Sequence, residues 1–278
     1  MKVKLTDRKL LKSFGVVVSG ISTVLSLVLI FVTIPANNDK LRIGLAIAFV
    51  VVLTAIYFFM WRQANDKVKT QLKVNRNTVV VKFGDIFQES DCLKVIPANE
   101  YFDTIVDDRI IAAASLHGQY IERYAKTSPE ELRRLIDADK DLQQNISFID
   151  QQRAVGAKTA YKLGTVFKNN DYLLLAFTKF DKNNRAYLDN KLLWESLINM
   201  WQSIDTIHSG KSICLPLLGS GLARLVNMNL TEQQLLELLI VSLRLSGVRF
   251  NWNVKVTIVV YHGNKESIDL YHLSEYSD

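Results

Sequence analysis

Two stretches of this chain carry no charge at all. Phe14 to Asn38 runs uncharged for 25 residues, and Ile43 to Trp61 for another 19. A helix rises ~1.5 Å per residue and the hydrocarbon core of a bilayer is ~30 Å thick, so ~20 apolar residues span it. Both stretches meet that length, and Pro35-Ala36-Asn37-Asn38-Asp39 between them is turn-like. The pattern predicts a transmembrane hairpin over residues 14–61, with spans at about 14–34 and 43–61. The first run is too long for the apolar region of a typical signal peptide, and a second span follows at once. Two uncharged runs of this length also argue against a buried hairpin in a soluble protein.

Charge sets the orientation. Lys2, Lys4, Arg8, Lys9 and Lys12 precede the first span, and Arg62, Lys67, Lys69, Lys73 and Arg76 follow the second, whereas the loop has only Lys40 and Arg42. The positive-inside rule predicts a basic cytoplasmic N-terminus (1–13), an external loop and a cytoplasmic remainder. Residues 1–76 hold 12 Lys and Arg against 3 acids, a net of +9. The rest holds 22 against 25, a net of −3. The basic pI therefore belongs to the membrane flanks, and a mildly acidic remainder argues against nucleic acid as a partner. Cys92 and Cys214 sit in apolar strand-like contexts and are expected as reduced core thiols in a cytosolic domain. The 4 histidines show no metal-ligand spacing, so no metal is expected.

After a polar linker (62–77), expected to continue the second span as a helix, strand-like runs alternate with helical patterns over 78–278. TVVVKF, CLKVIPAN, TAYKLGTVFK, YLLLAFTKF and VKVTIVVY read as strands. Ser128-Pro129-Glu130-Glu131 and Thr231-Glu232-Gln233-Gln234 read as helix starts, the helices running to about Lys140 and Leu245. Leu193, Leu197, Met200, Trp201 and Ile204 give a third helix over 192–207. This alternation implies an α/β domain with a mixed or mostly parallel central sheet and helices on both faces.

In such sheets the ligand crevice lies beyond the carboxyl ends of the strands. Gly84-Asp85-Ile86-Phe87, Ala98-Asn99-Glu100 and Gly219-Ser220-Gly221 all fall there. Each alone reads as turn chemistry. The last matches neither a Walker loop nor a Rossmann fingerprint. Their coincidence at strand ends points to one binding site.

Taken in order, VVVKFGDIF, KVIPAN and LPLLGSGLARL resemble the motifs of a macrodomain, the three-layer α/β/α module that binds ADP-ribose, over roughly residues 78–265. The added transmembrane hairpin resembles the membrane-anchored macro effectors of the bacterial Thoeris anti-phage system. The resemblance implies a non-enzymatic sensor in the bacterial inner membrane, with both termini cytoplasmic. Its ligand would be an ADP-ribose derivative, an amino-acid conjugate made by a partner TIR enzyme, and it would act on the bilayer as a homo-oligomer. It assigns Asp85 and Ile86 to adenine, Asn99 to the distal ribose, and the backbone of Gly219, Ser220, Gly221, Leu222 and Ala223 to the diphosphate. The family's glycine-rich loop after the asparagine is absent, which argues for sensing over the alternative, a membrane-tethered hydrolase. Ser115, His117 and Gly118 are the nearest equivalent. His117 either touches a distal group of the ligand or caps a helix. The nearby acids Asp103, Asp107 and Asp108 read as solvated helix-start residues rather than an acid–base set.

Small-xxx-small patterns, Gly15/Ser19, Ser22/Ser26 and Gly44/Ala48, permit close helix approach, either within the hairpin or between protomers. No ionisable residue lies inside either span, so no ion pathway is indicated.

Overall fold

A computed structural model of the chain describes residues 3–32, 38–181, 183–221, 224–226 and 228–278. They divide into two compact units, Met1–Val68 and Lys69–Asp278. Lys2, the end of the expected first span (Thr33, Ile34) and the turn residues Pro35-Ala36-Asn37 lie outside the described residues.

The first unit holds two helices, α1 (Arg8–Phe31) and α2 (Asp39–Asn65). The Asp7 carboxylate caps α1 by accepting from the Lys9 and Leu10 N–H groups, and the Asn38 side chain caps α2 through Leu41 N–H. Both helices are long and apolar enough to cross a membrane, and nothing in their apolar windows is buried. The helices meet through the rings of Phe14 and Tyr57, whose centroids are 5.0 Å apart, and Trp61 Nε1 donates to the Val3 carbonyl at 2.8 Å. Gly15, Gly20 and Gly44 are not at that contact, since a Cβ on any of them would meet nothing within 4 Å. The hydroxyls of Thr23 and Ser26 donate to the carbonyls of Ser19 and Ser22, four residues back, so their polarity is satisfied inside the helix.

The second unit opens with β1 (Lys69–Val74) and β2 (Asn77–Gly84), paired antiparallel. Residues 69–74, expected as linker, form an edge strand because Thr70, Leu72 and Val74 alternate inward. The two-residue turn, Asn75 (φ 51°) and Arg76 (φ 68°), has both central residues left-handed, as right-twisted hairpins prefer. The chain continues through β3 (Cys92–Asn99), α3 (Leu116–Gln119) with a π turn after it (Tyr120–Tyr124), α4 (Pro129–Ala138), α5 (Lys140–Gln143), β4 (Ile146–Ile149), β5 (Thr159–Tyr161), β6 (Val166–Asn169) and β7 (Tyr172–Phe180). It ends with β8 (Ala186–Leu188), α6 (Asn190–Ile207), β9 (Ser212–Pro216), β10 (Arg224–Leu225), α7 (Glu232–Ser246) and β11 (Lys255–Tyr261).

Among the described residues nine strands form one sheet in the order β1-β2-β11-β9-β3-β7-β8-β10, with β6 also on β7. β2, β11, β9, β3 and β7 run parallel, β1 is antiparallel to β2, and β6 and β8 are antiparallel to β7, with β10 parallel to β8. The sheet is therefore mixed, and both faces are covered. Leu193, Leu197, Met200 and Trp201 of α6 and Leu236, Leu239 and Leu243 of α7 cover one face. Leu132 and Ile136 of α4, Leu142 of α5, and Phe102 and Tyr120 cover the other.

Both expected helix starts form. The Ser128 hydroxyl accepts from Glu131 N–H, and Thr231 and Gln234 make a reciprocal capping box, with α7 ending at left-handed Gly247. α4 stops at Ala138, two residues early, because extended Asp139 caps α5 instead. The run expected as one strand, TAYKLGTVFK, is broken at Gly164 (φ +89°), where a Cβ would lie 2.3 Å from Asn199 Cβ. The cysteines correct the sequence reading: Cys92 and Cys214 form a disulfide (Cα–Cα 6.0 Å). Parallel pairing of β3 with β9, Cys92 opposite Ser212 and Lys94 opposite Cys214, makes the two cysteines diagonal neighbours, which a 122-residue separation conceals.

Gly164 and Gly210 separate packing from backbone strain. Gly210 is also left-handed (φ +75°) but has open space around it. Thermal unfolding of the full-length chain in detergent should show Gly210→Ala costing ~1–2 kcal/mol, the left-handed penalty alone. Gly164→Ala should cost ~1–3 kcal/mol more through overpacking. Equal costs would show that the α6 contact is unimportant.

Candidate functional site

The carboxyl ends of β2, β11, β9, β3 and β7 border one cleft of about 730 Å³. Five adjacent strand ends at ~4.8 Å spacing make a trough ~19 Å long. At the β2 end stand Gly84, Asp85 and Ile86, with Tyr261 at the end of β11 and Asn264 beyond it. The floor is Pro216 to Gly221 after β9, and the far end is Asn99 with Thr178, Phe180 and Asn184. The segment Asp108–Ala112 and residues Ser115, Leu116 and His117 form the remaining wall.

Most of the residues singled out from sequence come together here. Asp85 leaves β2 in extended conformation and caps a 3₁₀ turn, accepting from Phe87 N–H at 2.9 Å. Ile86 is buried beneath it beside Cys92, Cys214 and Val259. A bulge between Ala98 and Asn99 shifts the β3–β7 register at the strand's last residue, a device that re-aims side chains beside sites. The Asn99 Oδ1 atom accepts from Tyr101 N–H at 3.0 Å, which fixes the carboxamide in the cleft wall with its amide donors unspent among the described residues.

The two glycines of the β9 loop do different work. Gly219 is left-handed (φ +85°), so it makes the turn. Gly221 is not, and a Cβ there would meet nothing within 4 Å, so the chain's own packing does not require glycine. Bare backbone at the cleft floor is what a nest for anionic oxygens needs. Between them the Ser220 hydroxyl donates to Leu217 O at 2.7 Å, tightening the loop. Leu222 and Ala223 lie outside the described residues.

Ser115 is spent on structure: its hydroxyl donates to Ala112 O and accepts from Gly118 N–H. Gly118 does not line the cleft. A Cβ there would strike Ala112 O at 2.3 Å, so it lets the 110–113 segment pack onto α3. His117 is buried, its Nε2 has no hydrogen-bond partner, and burial depresses its pKa to about 4. The imidazole is therefore neutral. It does not cap a helix with its ring; Ser115 does that.

Of the acids near Asn99, Asp107 and Asp108 are exposed as expected, but Asp103 is not solvated. Asp103 is buried and pairs bidentately with Arg153 (3.0 and 2.7 Å), while also accepting from Ala157 N–H. The Arg153 guanidinium stacks 3.9 Å from the Tyr101 ring centroid and donates to Asn184 Oδ1 at 3.1 Å. Asp107 accepts from the backbone N–H groups of Ile110 and Arg109, which lower its pKa, and Asp108 accepts from Ala113 N–H. All three carboxylates hold loops. Beside them Glu100 is buried, its pKa raised by desolvation, and accepts from Phe180 N–H at 3.2 Å. Sequence reasoning missed Tyr261, Asn264, Arg109, Phe180 and Asn184. Only Tyr261 carried a signal, as the last residue of a buried strand.

His117 gives a pH dependence. Its folded pKa lies below the unfolded value near 6.5, so the neutral ring's contribution is complete above 6.5 and lost as pH falls towards 4. Wild type should lose roughly 3 kcal/mol relative to His117→Gln across that window. Parallel pH–stability curves for the two would show that the ring is not buried in solution.

A family model described as Thoeris protein ThsA, Macro domain, matches residues 79–261. A Thoeris protein ThsA from Bacillus amyloliquefaciens (strain Y2) is 38% identical over 237 residues, covering 84% of this chain and 77% of that protein. Among solved structures, the Oceanobacillus iheyensis macrodomain with ADP aligns with 14% identity and a TM-score of 0.45, over 75% of this chain and 93% of that one. The same macrodomain with MES bound aligns with 15% identity and a TM-score of 0.47, over 75% and 96%. On the strength of the family match and the 38% relative, the chain belongs to the Thoeris ThsA family and carries that family's Macro domain.

Proposed function

We propose that this chain is a membrane-anchored Thoeris effector whose Macro domain senses an ADP-ribose-derived nucleotide, an amino-acid conjugate made by a TIR enzyme. Binding then drives self-association that disrupts the bacterial inner membrane. The observation that carries the reading is the trough itself. It offers an acidic group at one end (Asp85), bare backbone at its middle (Gly219–Gly221) and an amide at the other (Asn99), in the order a nucleoside diphosphate sugar presents amine, anion and hydroxyl. Its length suits such a ligand. Family membership supports the ADP-ribose class.

Sensing is preferred over hydrolysis because Asp103, Asp107 and Asp108 are committed to loops, and Glu100, whose Oε2 has no partner among the described residues, does not line the cleft. The anchoring part of the reading rests on the two long apolar helices, and cytoplasmic termini are supported by the basic flanks under the positive-inside rule. Self-association is supported by Gly15, Gly20 and Gly44 of α1 and α2, where a Cβ would meet nothing among the described residues within 4 Å. For a ligand to drive assembly it must bind the assembled form more tightly than the resting one.

Two measurements on full-length protein in lipid nanodiscs or vesicles test this. Titration with ADP-ribose and with the TIR product should give saturable binding that Gly221→Glu weakens at least about tenfold. The variant should still fold, because the site has space for the side chain, while its carboxylate repels the diphosphate. Absence of binding to any ADP-ribose compound would discard the sensor reading, and turnover abolished by Asn99→Ala would replace it with a hydrolase. In dye-loaded vesicles the ligand should trigger release, and Gly44→Leu should reduce release with nucleotide affinity unchanged. Release unaffected by Gly15→Leu and Gly44→Leu alike would remove these positions from the assembly contact.

A further inference from the structure

At the β2 end of the cleft two strand ends lie side by side. Tyr261, the last residue of β11, stands directly opposite Gly84 in the parallel register, so the chain leaving β11 emerges beside Asp85. Val259 and Ile86 pack together beneath it. Beyond Tyr261 a 3₁₀ turn over His262–Asn264 brings Asn264 into the cleft wall. The turn is closed on itself: Lys265 N–H donates to His262 O at 3.2 Å, and Ser267 N–H to Asn264 O at 3.1 Å. It also tucks against the strand end, since a Cβ on Gly263 would lie 2.9 Å from the Tyr261 ring.

The Asn264 side chain is held from outside the cleft. Glu232 is the first residue of α7, a helix fixed by the Thr231–Gln234 capping box and by buried Leu235 and Leu236. Glu232 does not line the cleft. Its Oε1 accepts from Asn264 Nδ2 and its Oε2 from the Ser267 hydroxyl. A carboxamide can turn over, exchanging its donor and acceptor ends, and its partners decide which way it stands. An ionised carboxylate only accepts, so Glu232 holds the Nδ2 end and no other. Asn264 Oδ1, which has no donor among the described residues, is then the atom left for the cleft.

Asp85 beside it is an acceptor too. One of its carboxylate oxygens takes the Phe87 N–H at 2.9 Å, and the other is unspent among the described residues. Two acceptors on separate elements call for a group with two hydrogens to give. The exocyclic amino group of a purine is such a group. A 6-oxo group in its place would set a lone pair against both oxygens, and a polar group left without a partner costs more than the bond it loses.

We propose that Asn264, oriented by Glu232, is a specificity-determining residue that accepts from the exocyclic amino group of the ligand's base, so that the cleft selects a 6-aminopurine over a 6-oxopurine. Glu232 is a positioning residue that acts through the amide and touches no ligand. This rests on the reading of the cleft as a nucleoside diphosphate site with its base at Asp85, and adds a second acceptor there.

Titration calorimetry on the full-length chain in nanodiscs decides it, with ADP and with inosine diphosphate, which carries the 6-oxo base on the same ribose and diphosphate. Wild type should bind ADP about tenfold or more tighter. Asn264→Ala should narrow that ratio at least about threefold, by weakening ADP more than inosine diphosphate. Glu232→Gln should narrow it as well, because a glutamine amide can hold either end of Asn264 and lets it turn. Combining the two should narrow the ratio no further than Asn264→Ala alone, the signature of one residue acting through the other. Both variants should unfold thermally near wild type, since each keeps the turn's backbone bonds. Equal affinity of wild type for the two nucleotides overturns the proposal without any variant. So does an Asn264→Ala that weakens both alike, which would put the amide on a part they share, or a Glu232→Gln whose ratio equals that of wild type. Failure of wild type to bind ADP at all would instead discard the diphosphate reading, and the proposal with it.

Discussion

The cleft depends on five parallel strands finishing at one edge. A parallel pair cannot be joined by a tight turn, so every return must cross a face of the sheet. The crossings carry the helices that bury both faces, and they place the exits of β2, β11, β9, β3 and β7 side by side. Segments leaving those exits lie on the surface, held by a rigid sheet beneath, which is where binding groups accumulate in α/β proteins. Once the parallel order is set, Asp85, Asn99 and the Gly219–Gly221 loop are neighbours without any contact of their own.

Within that frame the far wall is held by charge rather than by apolar packing. Asp103 and Arg153 are both buried, and a buried pair gains over its desolvation cost only when its remaining donors and acceptors are satisfied. Here they are, by Ala157, Asn184 and the face of Tyr101. The network ties the β4–β5 hairpin to Asn99's own turn and to the Asn184 side of the cleft. Its worth lies in geometry, since an aliphatic pair of equal volume would fill the space but fix no direction.

Features that act locally were legible in the sequence. The apolar spans, the Ser128 and Thr231 caps and the strand-end glycines each carry their physical cause within a few residues. Features created by strand pairing were not. The alternation of Thr70, Leu72 and Val74 was diluted by polar neighbours, so an edge strand read as linker. The Cys92–Cys214 disulfide arises from register, and Gly164 breaks a strand because of a helix some 35 residues away in sequence. The site was half legible for the same reason. Asp85, Asn99 and Gly219–Gly221 announce themselves as turn-formers at strand ends, whereas Phe180, Asn184 and Arg109 reach the cleft only through tertiary structure. Ser115 lines the cleft while its hydroxyl caps α3, and Gly118 packs behind the wall, because capping and close packing use the same residue types as ligand contact.

Electrostatics sharpen what kind of binder this is. The folded unit Lys69–Asp278 holds 25 Lys and Arg against 25 acids and so has no net charge, and the surplus of positive charge lies in residues 1–68. Long-range attraction therefore does little to bring an anionic ligand to the cleft, and exposed charges more than a Debye length away are screened in any case. On the proposed reading, recognition rests on short-range donors, the backbone N–H groups of the β9 loop and the Asn99 amide. A nest of N–H groups accepts many anionic oxygens, so on that reading the choice among nucleoside diphosphates falls to the groups at the two ends of the trough, Asp85 and Asn99.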